Sequence, residues 1–142
     1  MKHKKNQEGM RKNWYYRRGD VYLADLDQSL SRVHGSIQGG IRPVIVVSNN
    51  AANYFSTLLS IVPVTSKLKK TNQSTHYLLK NSRCFPVRSM AEGEQVHTIL
   101  KTQVIRYLGK VDSVDLTGVE DTIRAHFHLN AEDPLPEGEI FP

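Results

Sequence analysis

The apolar residues of this 142-residue chain fall in short runs broken by glycine, proline, asparagine and serine, and only after residue 112 does their spacing become helical. Few folds accept that order. Short β-type runs bounded by turn formers read as strands, and one helical stretch near the end leaves most of the core to a sheet. GDVYLADL at 19–26 reads as the first strand, the apolar run at 43–48 as the second, TLLSIVPVTS at 57–66 as the third and THYLL at 75–79 as the fourth. Asn49, Asn50 and Asn53 read as a turn between the second and third. Pro63 removes a ladder donor and points to an edge or a bulge. QVHTILKTQVIRYL, residues 95–108, supplies a bent strand or two, with Val96, Leu100 and Val104 toward the core and Lys101 and Gln103 opposite. From Ser113 to Leu129, Leu116, Val119, Ile123 and Phe127 keep helical spacing behind a cap at Asp112 or Ser113. The expected class is mainly β with α, a small barrel of bent antiparallel strands with one C-terminal helix.

The chain is long enough for one domain with a real core, and a single cysteine excludes an intrachain disulfide. No signal peptide is legible and no apolar run approaches membrane-spanning length, so the expected compartment is the cytosol, with no membrane partner. The net charge of +5 is concentrated at one end. Residues 1–18 carry seven basic residues against Glu8, a local net of +6, so the remainder carries −1. Residues 1–16 read as a basic, disordered tail, 17–129 as the folded body and 130–142 as an acidic, proline-containing tail. The basic end serves either as an electrostatic arm for nucleic acid or as a solubilising extension whose Trp14, Tyr15 and Tyr16 dock on the barrel; docking is the favoured reading. The acidic end, with Ile140 and Phe141, has the composition of a segment that folds over a basic cleft.

Within the body, GSIQGGIRPVIVVSNN sets a flexible loop, an arginine and a buried strand in succession. Gly39 and Gly40 free the backbone to turn, and Pro43 keeps Arg42 extended. A guanidinium on so rigid a base either meets phosphate oxygens through two parallel hydrogen bonds or packs its stem over the strand and pairs with a carboxylate. Thr65 and Ser66 end the next strand and either join Arg42 or cap the turn into KLKK.

Other chemistries find little support. The chain has six histidines but no CxxC, HExxH or EF-hand loop, and Asp25 with Asp27 lacks an evident third ligand, so no metal and no cofactor is expected. The glycine loop lacks the Lys-Ser/Thr ending of a nucleotide-binding loop. Cys84 reads as a structural cysteine. Cleavage of RNA needs less equipment, because the ribose 2′-hydroxyl is the nucleophile and the protein must orient it, handle two protons and stabilise the phosphorane.

The order RRGDVYLADL, GSIQGGIRPVIVVSNN, IVPVTS, TH and TQVIRYL before a terminal helix resembles the MazF/PemK family of toxin endoribonucleases over residues 17–129. The resemblance implies a compact SH3-like barrel of the kind shared by the CcdB, MazF and PemK toxins. It implies a homodimer that cuts single-stranded RNA at short sequences without metal, leaving 2′,3′-cyclic phosphate and 5′-hydroxyl ends, and that is silenced by a cognate antitoxin. It places the catalytic roles on Arg42 and Thr65, and RNA binding or support on Ser66, Lys67, His76, Gln103, Gly39 and Gly40. Ile37 stands where many members carry a glutamate, which leaves the general base open; His76 is one option. The competing readings are a gyrase-binding module of the same barrel type and an inactive RNA-binding barrel.

Overall fold

The computed structural model describes residues 14–27, 39–81, 83–129 and 131–138. Seven strands form: β1 (Asp20–Asp25), β2 (Ile41–Val46), β3 (Leu58–Thr65), β4 (His76–Leu78), β5 (Met90–Glu92), β6 (His97–Leu100) and β7 (Val104–Lys110). Two α-helices, α1 (Asn50–Phe55) and α2 (Ser113–Phe127), and two 3-10 turns, Gly93–Gln95 and Lys101–Gln103, complete the described elements. All strand pairs are antiparallel, in the order β4-β5-β3-β2-β1-β7, and β6 also pairs with β3.

That last pairing closes the sheet. β6 lies on β3, the chain bends through the 3-10 turn at Lys101–Gln103, and β7 then lies on β1. The path β1, β2, β3, β6, β7 thereby returns to β1 as a small barrel. Two register shifts in the β1–β7 ladder add the curvature that closure needs.

Alternation along the strands divides the core into two layers. Tyr22, Ala24, Val44, Val46, Leu59, Ile61, Ile99 and Val104 fill the barrel. Val21, Ile45, Val62, Val64, Leu79 and Ala91 form the outer layer, covered by Val119 with Leu116 and Ile123 of α2. Each such fully buried aliphatic side chain contributes about 1.5–3 kcal/mol. The helix begins as expected, with the Asp112 carboxylate accepting from Asp115 N at 2.8 Å, but Phe127 is exposed.

Several sequence expectations change. The Asn-rich turn is α1, capped by Asn49, whose side chain accepts from Ala52 N at 2.8 Å. β5 has no counterpart among the expected strands. Pro63 lies neither on an edge strand nor at a bulge: it pairs with Val44 on one side, and on the other it falls where β3 changes partner, from β6 up to Ile61 to β5 from Val64. The missing donor costs nothing in that gap. In the segment after Gln95 the inward residue of β6 is Ile99, and Leu100 is exposed, because the 3-10 turn breaks the alternation before Val104.

The aromatic end of the basic segment is part of the fold. Trp14 Nε1 donates to the Tyr22 hydroxyl at 2.8 Å, and that hydroxyl donates to Asp20 Oδ2 at 2.7 Å. Tyr16 is buried in the barrel and Tyr15 stacks on Tyr54. These contacts follow the docking reading of the three aromatics. The proposed electrostatic arm upstream of Trp14, and Ile140 and Phe141, lie outside the described residues.

Candidate functional site

Arg42 is fixed at the start of β2, opposite Ala24 of β1, with Pro43 next in the strand. The loop before it is anchored at its end: Leu26 N donates to the Gly40 carbonyl at 2.9 Å, and Gly40 N donates to the Asp27 carboxylate. Gly40 has φ +74°, a left-handed conformation that favours glycine. The turn aims the Gly39 carbonyl back at Arg42, whose Nε donates to it at 2.7 Å. Asp25 and Asp27 therefore serve the loop, with Asp27 N bonded to Asp25 Oδ1 at 3.0 Å. No ion pair holds Arg42 among the described residues, and its guanidinium is anchored through Nε.

Thr65 and Arg42 come to the same end of neighbouring strands. The β2–β3 ladder pairs Val46 with Ile61 and ends with Val44 on Pro63, and Arg42 and Thr65 each stand two residues beyond that last pair. Both continue the inward-facing rows of their strands beyond the filled part of the barrel. Thr65 is buried, and its Oγ1 accepts from Lys67 N at 3.1 Å. The turn-capping role and the site role thus belong to one hydroxyl, whose proton stays available to a ligand.

These residues line a pocket of about 490 Å³ together with Ser66, Lys67, Lys69, Phe85, Pro86, Val87 and Ser89. Three cationic groups and three hydroxyls at one barrel mouth suit a phosphodiester, and exposed Val87 with half-buried Phe85 offers an apolar wall for a base. The segment 85–89 was missed in the sequence. Its signal was an aromatic-proline pair flanked by Arg83 and Arg88.

His76 and Gln103 do not join this pocket. Gln103 is a strut: Oε1 accepts from Leu100 N at 2.9 Å, and Nε2 donates to the Asp25 carbonyl at 3.0 Å, tying the β6–β7 bend to the end of β1. His76 sits on β4 with Nδ1 on the Lys70 carbonyl at 2.9 Å and Nε2 on Glu94 Oε2 at 2.6 Å. Desolvation works to lower the imidazole's pKa, while Glu94 and the Lys70 carbonyl raise it by more, and the net is a rise above the ordinary 6.5. With both nitrogens engaged outside the pocket, His76 is not positioned as the general base. Cys84 is no nucleophile either: burial raises its thiol pKa, and it packs over Gly109. Ile37 lies outside the described residues.

Residues 17–127 match the model of the family described as PemK-like, MazF-like toxin of type II toxin-antitoxin system. An endoribonuclease MazF from Staphylococcus saprophyticus is 34% identical over 120 residues, which cover 78% of this chain and 97% of that protein. Among solved structures, MazF from Deinococcus radiodurans superposes with a TM-score of 0.68 at 19% identity, over 82% of this chain and 99% of that one. An endoribonuclease in complex with its cognate antitoxin from a mycobacterial species gives a TM-score of 0.66 at 22% identity, over 85% and 99%. At such identities the structural likeness speaks for the barrel fold.

Proposed function

The chain belongs to the PemK-like, MazF-like toxins of type II toxin-antitoxin systems, and from that premise we propose that it is an endoribonuclease that cuts single-stranded RNA at Arg42 and Thr65 without metal. The observation that supports the reading is that both line one cationic pocket past the end of the β2–β3 ladder, with Arg42 in no ion pair among the described residues.

The chemistry follows from that arrangement. The 2′-hydroxyl attacks the adjacent phosphorus, the bond to the 5′ oxygen breaks, and the products are a 2′,3′-cyclic phosphate and a 5′-hydroxyl. Arg42, anchored through Nε, presents two parallel donors to the phosphorane oxygens, where charge accumulates. Thr65 donates its hydroxyl proton to the same group, and Ser66 and Lys67 hold the phosphate in register. The Arg42 guanidinium offers donors and no acceptor, so it serves as charge stabiliser and not as the base. No carboxylate or imidazole lines the pocket among the described residues, so the 2′-hydroxyl proton passes to solvent, solvent protonates the departing 5′ oxygen, and the site works by orientation and charge stabilisation.

The cognate partner is an antitoxin, as in the mycobacterial complex, and the working toxin is a homodimer. An acidic, ribose-free segment lying over the Arg42 pocket would compete with RNA for the same donors. The test is to incubate the protein with a long RNA in EDTA and map the ends. The reading expects 2′,3′-cyclic phosphate ends at a recurring short sequence; binding without cleavage, or cleavage that requires added metal, would overturn it.

A further inference from the structure

A second cluster lies outside the pocket, where β5 ends. His76 and Glu92 are directly paired in the β4–β5 ladder, so their side chains share a face. Glu94 follows in the 3-10 turn Gly93–Gln95. One ligand atom from each residue falls within 4.8 Å of those of the other two. From this we propose that His76, Glu92 and Glu94 form a binding site for a divalent transition-metal ion that clamps the β4–β5 hairpin to the turn beneath α2.

The donors are partly enclosed. The His76 and Glu94 side chains are 6% and 28% exposed and Glu92 is buried, while Glu94 Oε1 is a buried carboxylate oxygen that accepts no hydrogen bond among the described residues. An oxygen so placed costs free energy until a cation reaches it.

The imidazole is set for coordination. A carbonyl only accepts, so the 2.9 Å contact to the Lys70 carbonyl places a proton on Nδ1. Nε2 then faces Glu94 Oε2 at 2.6 Å. In the neutral ring that is a lone pair against a carboxylate, a contact that only a proton or a cation between them makes favourable. The carbonyl on Nδ1 is the outer partner that fixes the tautomer of metal-bound histidines.

The base of the site is stiff. Gly93 N donates to the Thr75 carbonyl at 2.8 Å, and a Cβ on Gly93 would come within 2.1 Å of Thr122 Oγ1, so turn, β4 and α2 meet with no room between them. One imidazole and two carboxylates suit Zn²⁺, Co²⁺ or Mn²⁺ better than Ca²⁺ or Mg²⁺, which prefer all-oxygen sets. Bonds of about 2.0–2.2 Å hold donors roughly 3–3.5 Å apart, so binding opens the His76–Glu94 contact and draws in the widest pair through glutamate torsions. Three protein donors leave a fourth position for water. The site is independent of the nuclease pocket, and RNA cleavage in EDTA does not report on it.

The test uses the full chain freed of metal by a chelator, titrated with Zn²⁺ by calorimetry and with Co²⁺ by visible absorption. The expected result is one ion per chain, a raised melting temperature, and an absorption band of low-coordinate Co²⁺ bearing nitrogen and oxygen ligands. His76→Ala, Glu92→Gln and Glu94→Gln should each weaken binding by at least about tenfold, with far-ultraviolet dichroism confirming the fold of the variants scored. Replacing the exposed His126 and His128 should change nothing. Absence of saturable one-to-one binding, or binding unaltered in the three variants and lost on replacing His126 and His128, would overturn the proposal.

Discussion

Replacing Gly118 by alanine should destabilise the protein, although alanine is the better helix former by about 1 kcal/mol. Gly118 lies in α2 where the helix crosses Tyr77 of β4, and a Cβ there would stand 2.0 Å from Tyr77 Cε1 and 2.3 Å from Cδ1. Carbon atoms settle at about 3.5–4.0 Å, so ring or helix must move by roughly 1.5 Å. The ring is not free to do so. Its hydroxyl donates to Asp115 Oδ1 at 2.8 Å, and the same carboxylate accepts from Lys80 N at 3.1 Å and Asn81 N at 3.0 Å. Burial first, and then Asp115, push the Tyr77 phenol up to about 12, the mark of a proton held on that bond. Overpacking costs about 1–3 kcal/mol and a bond to a buried charge about 1.5–3 kcal/mol. After the helix gain, the net loss is about 2–4 kcal/mol, or a fall of roughly 10 °C in Tm for a chain of this size. Urea unfolding followed by dichroism measures it. In a Tyr77→Ala background the alanine should cost nothing further. An unchanged or higher midpoint for Gly118→Ala alone would refute the packing described for α2.

Two further outcomes follow from single residues. Gly40→Ala meets no atom within 4 Å but forces a side chain into φ +74°; it should cost about 1 kcal/mol of stability and lower RNA cleavage by shifting the Gly39 carbonyl that anchors Arg42, whereas full activity would mean that the anchor is idle. Asp20 is buried, and burial raises its pKa above 3.8 despite the opposing bonds from Tyr22 and Arg17. The sign follows from linkage: the folded state holds this proton more tightly, so the stabilisation is complete below 3.8 and is lost as pH rises through the raised value. Asp20→Asn, which keeps an acceptor oxygen but cannot ionise, should therefore gain stability relative to the parent chain between pH 3.8 and neutrality in urea titrations, and a constant or shrinking difference would contradict it.

Much of the barrel was legible because its rules are local. β1, β2 and β3 declare themselves as short β-type runs bounded by turn formers, and α2 by the spacing of Leu116, Val119 and Ile123 behind Asp112. β5 was not legible: three residues, Met90–Glu92, carry too little pattern, and they are a strand only because β3 and β4 lie on either side. α1 hid in an Asn-rich stretch whose first residue was a cap. At the site, Arg42 and Thr65 each stood in a motif, yet their lining one pocket depends on the β2–β3 pairing, which a sequence does not print. The same holds more strongly for His76, Glu92 and Glu94. Only the β4–β5 ladder and the turn after it join them, so local spacing in the sequence does not reveal the cluster. His76 and Gln103 were placed in the RNA site by resemblance, and the structure engages both elsewhere, His76 with the Lys70 carbonyl and Glu94, Gln103 with Leu100 N and the Asp25 carbonyl.

The central claim is that Arg42 and Thr65 act together on RNA, and single-turnover cleavage of one RNA in EDTA tests it most directly, with Arg42→Ala and Thr65→Ala compared against the parent chain at matched folding. Removing one donor to a developing anion costs about 10²–10³ in rate. The expected result is a loss of that order for each variant, with unfolding midpoints close to the parent's. Rates unchanged in either variant, in protein that folds and binds RNA as before, would contradict the account.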